Sequence, residues 1–163
     1  MKTSSTFFFL PIILVFSIFS CKTNENEFEF SLVGTDLSVA EIAGTWEGSK
    51  AIFSSAGSGP ALDVDIIEEG GYLVMHIMEN GDFDLTYSVP GSFPVLTYGR
   101  LGFDEDLLVM EFEEDPDDLA FLGIVLDEPD LFLSGGPVYG AFDFDGDGIF
   151  DDAYIDFEFY RTD

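Results

Sequence analysis

The chain has 163 residues, with 33 Asp and Glu against 5 Lys and Arg, which gives a formal net charge of −28. This charge excludes nucleic acid as a partner, because binding to phosphates requires clustered cations, and it disfavours docking on an anionic membrane surface. Hydrophobic residues nevertheless make up 47% of the chain, so the composition predicts one folded domain of ordinary size and excludes a wholly disordered chain.

Residues 1–20 are predicted to be a signal peptide. Lys2 supplies a positive start, and residues 7–19 form an apolar run that is too short to span roughly 30 Å of hydrocarbon as a helix. The run ends at Ile18-Phe19-Ser20-Cys21, which resembles the lipobox of bacterial lipoproteins. The resemblance implies that Cys21 is lipidated and that the protein is anchored at the outer membrane or cell surface of a bacterium. The alternative is a plain secretory signal.

Cys21 is the only cysteine, so no disulfide can form within the chain and no metal site can be built from cysteines. Residues 21–35 open with a polar stretch without periodicity, which predicts a flexible tether. Residues 36–163 are predicted to form the folded domain. The sequence leaves open whether this domain faces the periplasm or the exterior.

From about residue 43 onward, apolar and polar residues alternate, which predicts β-strands with one buried face. Residues 82–89 and 153–159 alternate without exception. Asn80-Gly81 predicts a tight hairpin between two of these strands, 72–78 and 83–89. Short, evenly spaced strands joined by tight turns predict an all-β fold, namely an antiparallel up-and-down β-barrel of about eight or nine strands.

Other turns are predicted where acidic residues interrupt the apolar runs. One is Phe103-Asp104-Glu105-Asp106 and another is Asp127-Glu128-Pro129-Asp130. The acidic run 113–118 is interpreted as a solvated turn, with a second weak cation site as the alternative. A short helical turn is predicted at 38–41, where Ser38 and Glu41 have capping-box spacing.

Gly44-Thr45-Trp46, the Asn80-Gly81 hairpin and a last strand that ends in Arg161 occur in an order that resembles the lipocalin-like families of bacterial lipoproteins. The resemblance covers roughly residues 36–163. It implies that Arg161 lies over Trp46 and seals one end of the barrel. The alternation supports this, because Arg161 is in phase with the apolar residues of the last strand, and such a cation–π contact contributes on the order of 0.5–2 kcal/mol.

In classical lipocalins the barrel holds a small hydrophobic ligand, but small eight-stranded barrels can also be filled by side chains. Several large residues are expected to face inward, so two alternatives stay open: a carrier of a small hydrophobic molecule, or a surface interaction protein with a filled barrel. The residues expected inside are Phe83, Tyr87, Met110, Phe112, Phe157 and Phe159.

Residues 143–151 have the pattern D-x-D-x-D-G-x-x-D, which matches the first nine positions of an EF-hand calcium loop. A hard cation requires six or more oxygens, and carboxylates at alternate positions of a curled loop converge on one point. The predicted ligands of a structural Ca²⁺ are the side chains of Asp143, Asp145, Asp147 and Asp151 and the carbonyl of Ile149.

The loop departs from an EF-hand in two respects. Position 12 is Tyr154 instead of a bidentate Glu, and the flanking segments, 138–142 and 153–159, have the period of strands. The pattern is therefore similar to the hairpin calcium loops of surface repeats. Weak affinity is expected, about 10⁻⁴–10⁻³ M, as in extracellular modules.

The sequence nominates no catalytic residue, and the protein is not expected to be an enzyme. His76 is the only histidine, so it has no partner for a histidine zinc site and is interpreted as an ordinary strand residue. Lys50 is in phase with Trp46, so simple alternation would place it inside the barrel, whereas an irregular strand would turn it outward. The domain is expected to be a monomer.

Overall fold

The computed structural model describes residues 30–163 apart from residues 58–59 and 138–139, and the side chains of residues 117 and 118 are not described. The predicted signal peptide and Cys21 lie outside the described residues. The described part consists of a short helix and ten strands: α1 Val39–Ile42, β1 Gly44–Ser55, β2 Asp63–Asp65, β3 Tyr72–Ile77, β4 Asp82–Ser88, β5 Val95–Asp104, β6 Leu107–Phe112, β7 Asp115–Asp127, β8 Asp130–Gly135, β9 Ala141–Phe142 and β10 Asp151–Arg161.

Eight strands form a closed antiparallel barrel, in the order β1-β3-β4-β5-β6-β7-β8-β10, with β10 paired back onto β1. The two remaining strands are short additions, because β2 pairs with the second half of β1 and β9 with the start of β10. The prediction of an all-β, up-and-down barrel with a short N-terminal helical turn is therefore confirmed.

The two ends of the barrel differ. We call the end that carries α1, the start of β1 and the end of β10 the sealed end, and the opposite end, at residues 89–94 and 140–150, the mouth. The most deeply buried large side chains include Trp46, Phe83, Leu101, Leu108, Leu131 and Phe159. With Val39 and Ile42 of α1, these residues belong to one hydrophobic core.

The Asn80-Gly81 hairpin forms as predicted between β3 and β4, and Gly81 adopts the left-handed conformation at φ 90°. The acidic turns are shorter than expected. β5 continues to Asp104, so the chain reverses at Glu105-Asp106 alone. β7 already begins at Asp115, and the interpretation of 113–118 as a turn is therefore wrong beyond Glu114. The register between β6 and β7 shifts between Glu111 and Phe112, where residues 116–118 of β7 have no partner on β6.

A β-bulge decides the direction of Lys50. The register between β1 and β10 shifts between Gly48 and Lys50, which reverses the inward and outward faces of the strand. Ala51 is consequently fully buried, whereas Lys50 is exposed. Of the two directions left open by the sequence, the outward one is therefore observed, because the strand is irregular before Lys50.

The last residues of the predicted tether contact the barrel. The main chains of Ser31 and Phe103 exchange hydrogen bonds, with N–O distances of 3.3 and 2.7 Å, and the Thr35 amide donates to the Glu105 carbonyl at 2.9 Å. The described residues include no helix with the length and apolar character needed to cross a membrane.

Candidate ligand-binding cavity and acidic loop

Trp46 and Arg161 lie opposite each other on β1 and β10 at the sealed end. The indole of Trp46 is fully buried, and the guanidinium carbon of Arg161 lies 4.4 Å from the centroid of its ring. This is the arrangement that the resemblance implied. Because the guanidinium is largely withdrawn from solvent, the cation–π contact is expected to contribute on the order of 1 kcal/mol or more.

Side-chain donors at the sealed end satisfy the carbonyl groups that α1 leaves without partners. Arg161 donates from Nη1 to the Ala43 carbonyl at 2.7 Å and from Nη2 to the Glu41 carbonyl at 2.8 Å. Nε1 of Trp46 donates to the Ile42 carbonyl at 2.8 Å. The last carbonyls of a helix lack intrahelical donors, so these three bonds hold the helix across the end of the barrel.

The start of α1 is also fixed by hydrogen bonds. The Ser38 amide and hydroxyl both donate to a carboxylate oxygen of Glu41, at 2.8 and 2.6 Å. Both hydrogen bonds lower the pKa of Glu41 from its usual value, and the bond from the hydroxyl has the larger effect. The charged carboxylate near the helix start is thus the stabilised form.

A cavity of about 570 Å³ occupies the half of the barrel towards the mouth. Its walls are mainly apolar and aromatic side chains, and seven of the eight barrel strands, all except β5, contribute to them. The lining includes Phe53, Ile66, Leu73, Met75, Leu85, Tyr87, Val89, Met110, Phe112, Ala120, Leu122, Leu133, Phe142, Ile155, Phe157 and Phe159. Of the large residues expected inside, five line this space and leave it open: Tyr87, Met110, Phe112, Phe157 and Phe159. Phe83 is also inside, but it is buried in the hydrophobic core and is not part of the cavity wall.

Aromatic residues of the cavity wall pack against each other, and two small residues in the same wall leave the space beside them open. Phe53 stacks on Phe142 with ring centroids 4.9 Å apart and meets Phe157 edge to face at 5.5 Å. Such contacts between neighbouring rings are favourable without any ring crossing the interior. Ala120 and Gly140 contribute little volume to the remaining wall.

The polar residues in the lining are few. Tyr87, Ser92 and Asp143 are the members with a polar or charged side chain, and no basic residue lines the cavity within the part of the chain that the structure describes. An apolar pocket with a few polar groups is the usual form of a site for a small molecule.

Two segments surround the mouth. The β4–β5 connection supplies Pro90 and Ser92 to the lining, and Phe93 beside them is 93% exposed. The acidic loop, residues 143–151, supplies Asp143, Gly146 and Phe150, and the side chain of Phe150 is 69% exposed. The candidate cation loop and the opening of the cavity therefore share residues.

The acidic loop curls so that three carboxylates approach each other. One oxygen from each of Asp143, Asp145 and Asp147 lies within 4.8 Å of the other two. Asp143 accepts hydrogen bonds from the amides of Gly146 and Gly148 at 2.8 and 2.9 Å. Both glycines have positive φ, 74° and 86°, a conformation that costs glycine little. These three aspartates could hold a cation.

The other two predicted ligands occupy different positions. Asp151 is the first residue of β10, pairs with Phe142, and is not part of the cluster of three aspartates. The Ile149 amide donates to Oδ1 of Asp147 at 2.8 Å, and its side chain is exposed. The loop thus brings together the first three ligands of the predicted set.

His76 lies on the outside of β3, where its ring bonds with the Thr45 hydroxyl and lies 3.7 Å from the carboxylate of Asp84. It is exposed and does not line the cavity, because it faces the opposite side of the strand from Met75. This placement agrees with its interpretation as an ordinary strand residue.

No known protein-family model matches the chain, and no curated protein matches it in sequence. The cavity and the acidic loop are therefore the features that bear on function. Several wall residues, among them Phe53, Ala120 and Phe142, were not singled out from the sequence. Ala120 could have been found from the alternation of β7, whereas Phe53 could not, because the bulge in β1 changes the phase before it.

Proposed function

We propose that this chain is a lipocalin-like binding protein that holds a small apolar molecule in its barrel. The observation that carries the proposal is the apolar cavity of about 570 Å³. Pockets for small molecules commonly measure about 300–1,000 Å³ and are lined by hydrophobic and aromatic side chains. Of the two alternatives, a carrier and a filled barrel, this observation favours the carrier.

A binding role fits the lining better than catalysis. Catalytic sites bring two or more titratable groups together around a reacting atom. Among the described residues that line this cavity, Asp143 is the only acidic one, and its carboxylate already accepts hydrogen bonds from main-chain amides of its own loop. The remaining polar residues are Tyr87 and Ser92.

We further propose that the protein acts as a monomer attached through a lipid on Cys21 at the outer membrane or cell surface of a bacterium. The lipobox-like sequence before Cys21 supports the attachment. The monomer is supported by the closed barrel, in which each of the eight wall strands is paired on both sides, so that no wall strand offers a long unpaired edge to a second copy.

Binding can be tested with N-phenylnaphthylamine, a neutral apolar dye whose fluorescence rises in an apolar site. The purified chain is expected to bind it with saturable, micromolar affinity. Ala120→Trp places a large ring inside the cavity and is expected to weaken binding at least tenfold, about 1.4 kcal/mol. Fluorescence titration of both proteins provides the measurement.

Val125→Trp is the matched control, because Val125 lies on the same strand but faces outward and is 59% exposed. This variant adds the same side chain to β7 and is expected to retain the affinity of the parent chain. Dye binding that responds equally to both substitutions, or that does not saturate, would contradict a site in the cavity.

We also propose that residues 143–151 bind Ca²⁺ as a structural ion. The approach of three carboxylates within 4.8 Å supports this. A cation would relieve their mutual repulsion, and a dissociation constant of about 10⁻⁴–10⁻³ M would give about 1–2 kcal/mol of stabilisation at about 5 mM Ca²⁺. The loop would then be pinned beside the mouth.

Calcium is therefore expected to raise the melting temperature of the protein by about 3 °C or more relative to chelator. The thermal melts should be compared with Mg²⁺ at equal ionic strength, because a chain of charge −28 gains stability from any added salt. Asp145→Asn retains the size of the side chain but removes its charge, and should abolish the calcium-specific shift. Equal shifts with both metal ions would overturn the calcium proposal.

A further inference from the structure

We propose that the cavity selects neutral or cationic apolar molecules and rejects those with an anionic head, such as fatty acid carboxylates. This inference rests on the proposed binding function and adds the charge class of the ligand. It follows from where the few basic residues of the chain lie, and from which charges surround the mouth.

Residues 30–163 contain three Lys and Arg residues, and each of them lies outside the cavity lining. Lys50 is turned to the outside by the bulge in β1. Arg100 also lies on the outer face, where its guanidinium pairs with Glu111 at 2.9 Å. Arg161 lies at the sealed end, where it covers Trp46 and bonds to helix carbonyls. None of the three lines the cavity.

The gaps in the described chain do not change this count. Residues 58–59 are Ser-Gly and residues 138–139 are Val-Tyr, and the two undescribed side chains, at 117 and 118, are aspartates. The chain therefore contains no arginine or lysine from residue 30 onward that could pair with an anion inside the barrel or at its mouth.

The mouth itself carries negative charge. Asp143 contributes to the lining, and Asp145 and Asp147 follow in the same loop. Even one bound Ca²⁺ would leave the four aspartates of residues 143–151 with a net charge of −2. An anionic head at the opening would be repelled over about 8–10 Å at ordinary ionic strength. Deeper in the cavity it would lose its hydration without gaining a counter-ion.

Neutral and cationic heads avoid both penalties. The lining offers Tyr87 and Ser92 as uncharged polar residues, which suit a hydroxyl or carbonyl group, and the acidic loop attracts a positive group. The apolar remainder of the ligand is accommodated by the aromatic wall in all cases. The head charge is consequently the property on which the site discriminates.

The test is displacement of bound N-phenylnaphthylamine from the purified chain by three compounds with the same ten-carbon tail: decanol, decyltrimethylammonium and decanoate. Each is used below its micelle concentration at pH 8 and low salt. Decanol and decyltrimethylammonium are expected to displace the dye, and decanoate to require at least tenfold higher concentration. Displacement by decanoate as readily as by decanol would overturn the inference and leave the proposed binding function intact.

Ser92→Lys supplies the missing cation at the mouth, and Ser92→Gln is the neutral control of similar length. The Ser92 carbonyl accepts a hydrogen bond from the Ser88 hydroxyl, and the Ser92 amide donates to the Val89 carbonyl. Because both are main-chain groups, these bonds are compatible with either substitution. Ser92→Lys is expected to improve displacement by decanoate at least fivefold over Ser92→Gln. An equal result for both would contradict the missing cation as the cause. If the dye itself fails to bind, the binding function is overturned together with this inference.

Discussion

Replacing Trp46 with alanine is expected to lower the free energy of unfolding by about 3–5 kcal/mol, the usual cost of removing a large buried aromatic side chain. Trp46 is fully buried, donates a hydrogen bond to the Ile42 carbonyl and lies under Arg161. The substitution therefore removes packing, a hydrogen bond and the partner of a cation at once. Urea denaturation followed by far-ultraviolet circular dichroism is the measurement, because the variant contains no tryptophan to report fluorescence.

Two further variants separate these contributions. Trp46→Phe keeps a ring beneath the guanidinium but leaves the Ile42 carbonyl without its donor, and is expected to cost about 1–2 kcal/mol. Arg161→Met keeps the unbranched stem and removes the donors to the Glu41 and Ala43 carbonyls. An average point substitution costs about 1 kcal/mol of unfolding free energy. A smaller loss for Trp46→Ala would show that the sealed end does not stabilise the barrel.

Replacing Gly99 with alanine is expected to cost about 3 kcal/mol, at the upper end for overpacking. Gly99 is on β5, opposite Phe112 of β6, and a Cβ atom there would collide with the main-chain carbonyl oxygen of Glu111 and come within 2.7 Å of the Phe83 ring. The carbonyl belongs to the neighbouring strand and cannot move without disturbing the sheet. The comparison of urea midpoints at unchanged slope measures the loss.

Gly136→Ala is the matched control for this substitution. A Cβ atom at Gly136 would meet no atom of the described residues within 4 Å, and the residue does not have a positive φ. Its replacement is expected to change stability by no more than about 0.5 kcal/mol. Similar midpoints for the two variants would contradict the close approach of β5 and β6 at Gly99.

The barrel was predictable from the sequence because the alternation of residues is a local signal. Asp82–Ser88 forms β4 with the expected inward residues, and Asn80-Gly81 turns the chain before it. The helical turn and the contact between Trp46 and Arg161 were also accessible, the first from capping-box spacing and the second from phase together with the family resemblance.

Strand boundaries and irregularities were less accessible. The residue inserted near Ser49 reverses the faces of β1, and only the pairing partner, β10, shows that an insertion exists. Likewise, the acidic residues at the start of β7 do not have the composition of a strand, but pairing between Asp115 and Phe112 extends the strand through them. In both places tertiary pairing overrides local propensity.

The cavity could not be predicted, because the sequence indicates which side chains face inward but not how much of the barrel interior they fill. The large residues Tyr87, Met110 and Phe112 face inward as expected. Whether they meet at the centre depends on the barrel radius and on the small residues between them, such as Ala120. In the same way, spacing indicated that the aspartates of the loop converge, while the position of Asp151 depends on its pairing with Phe142.

The closure of one barrel end by Trp46 and Arg161 has a kinetic consequence for a bound molecule. If a ligand enters and leaves the cavity only through the mouth, it crosses the same free-energy barrier in both directions. A change at Phe93, an exposed residue of the rim outside the cavity lining, would then alter the rates of uptake and release by equal factors. The equilibrium affinity would be set by the walls, independently of how fast exchange occurs.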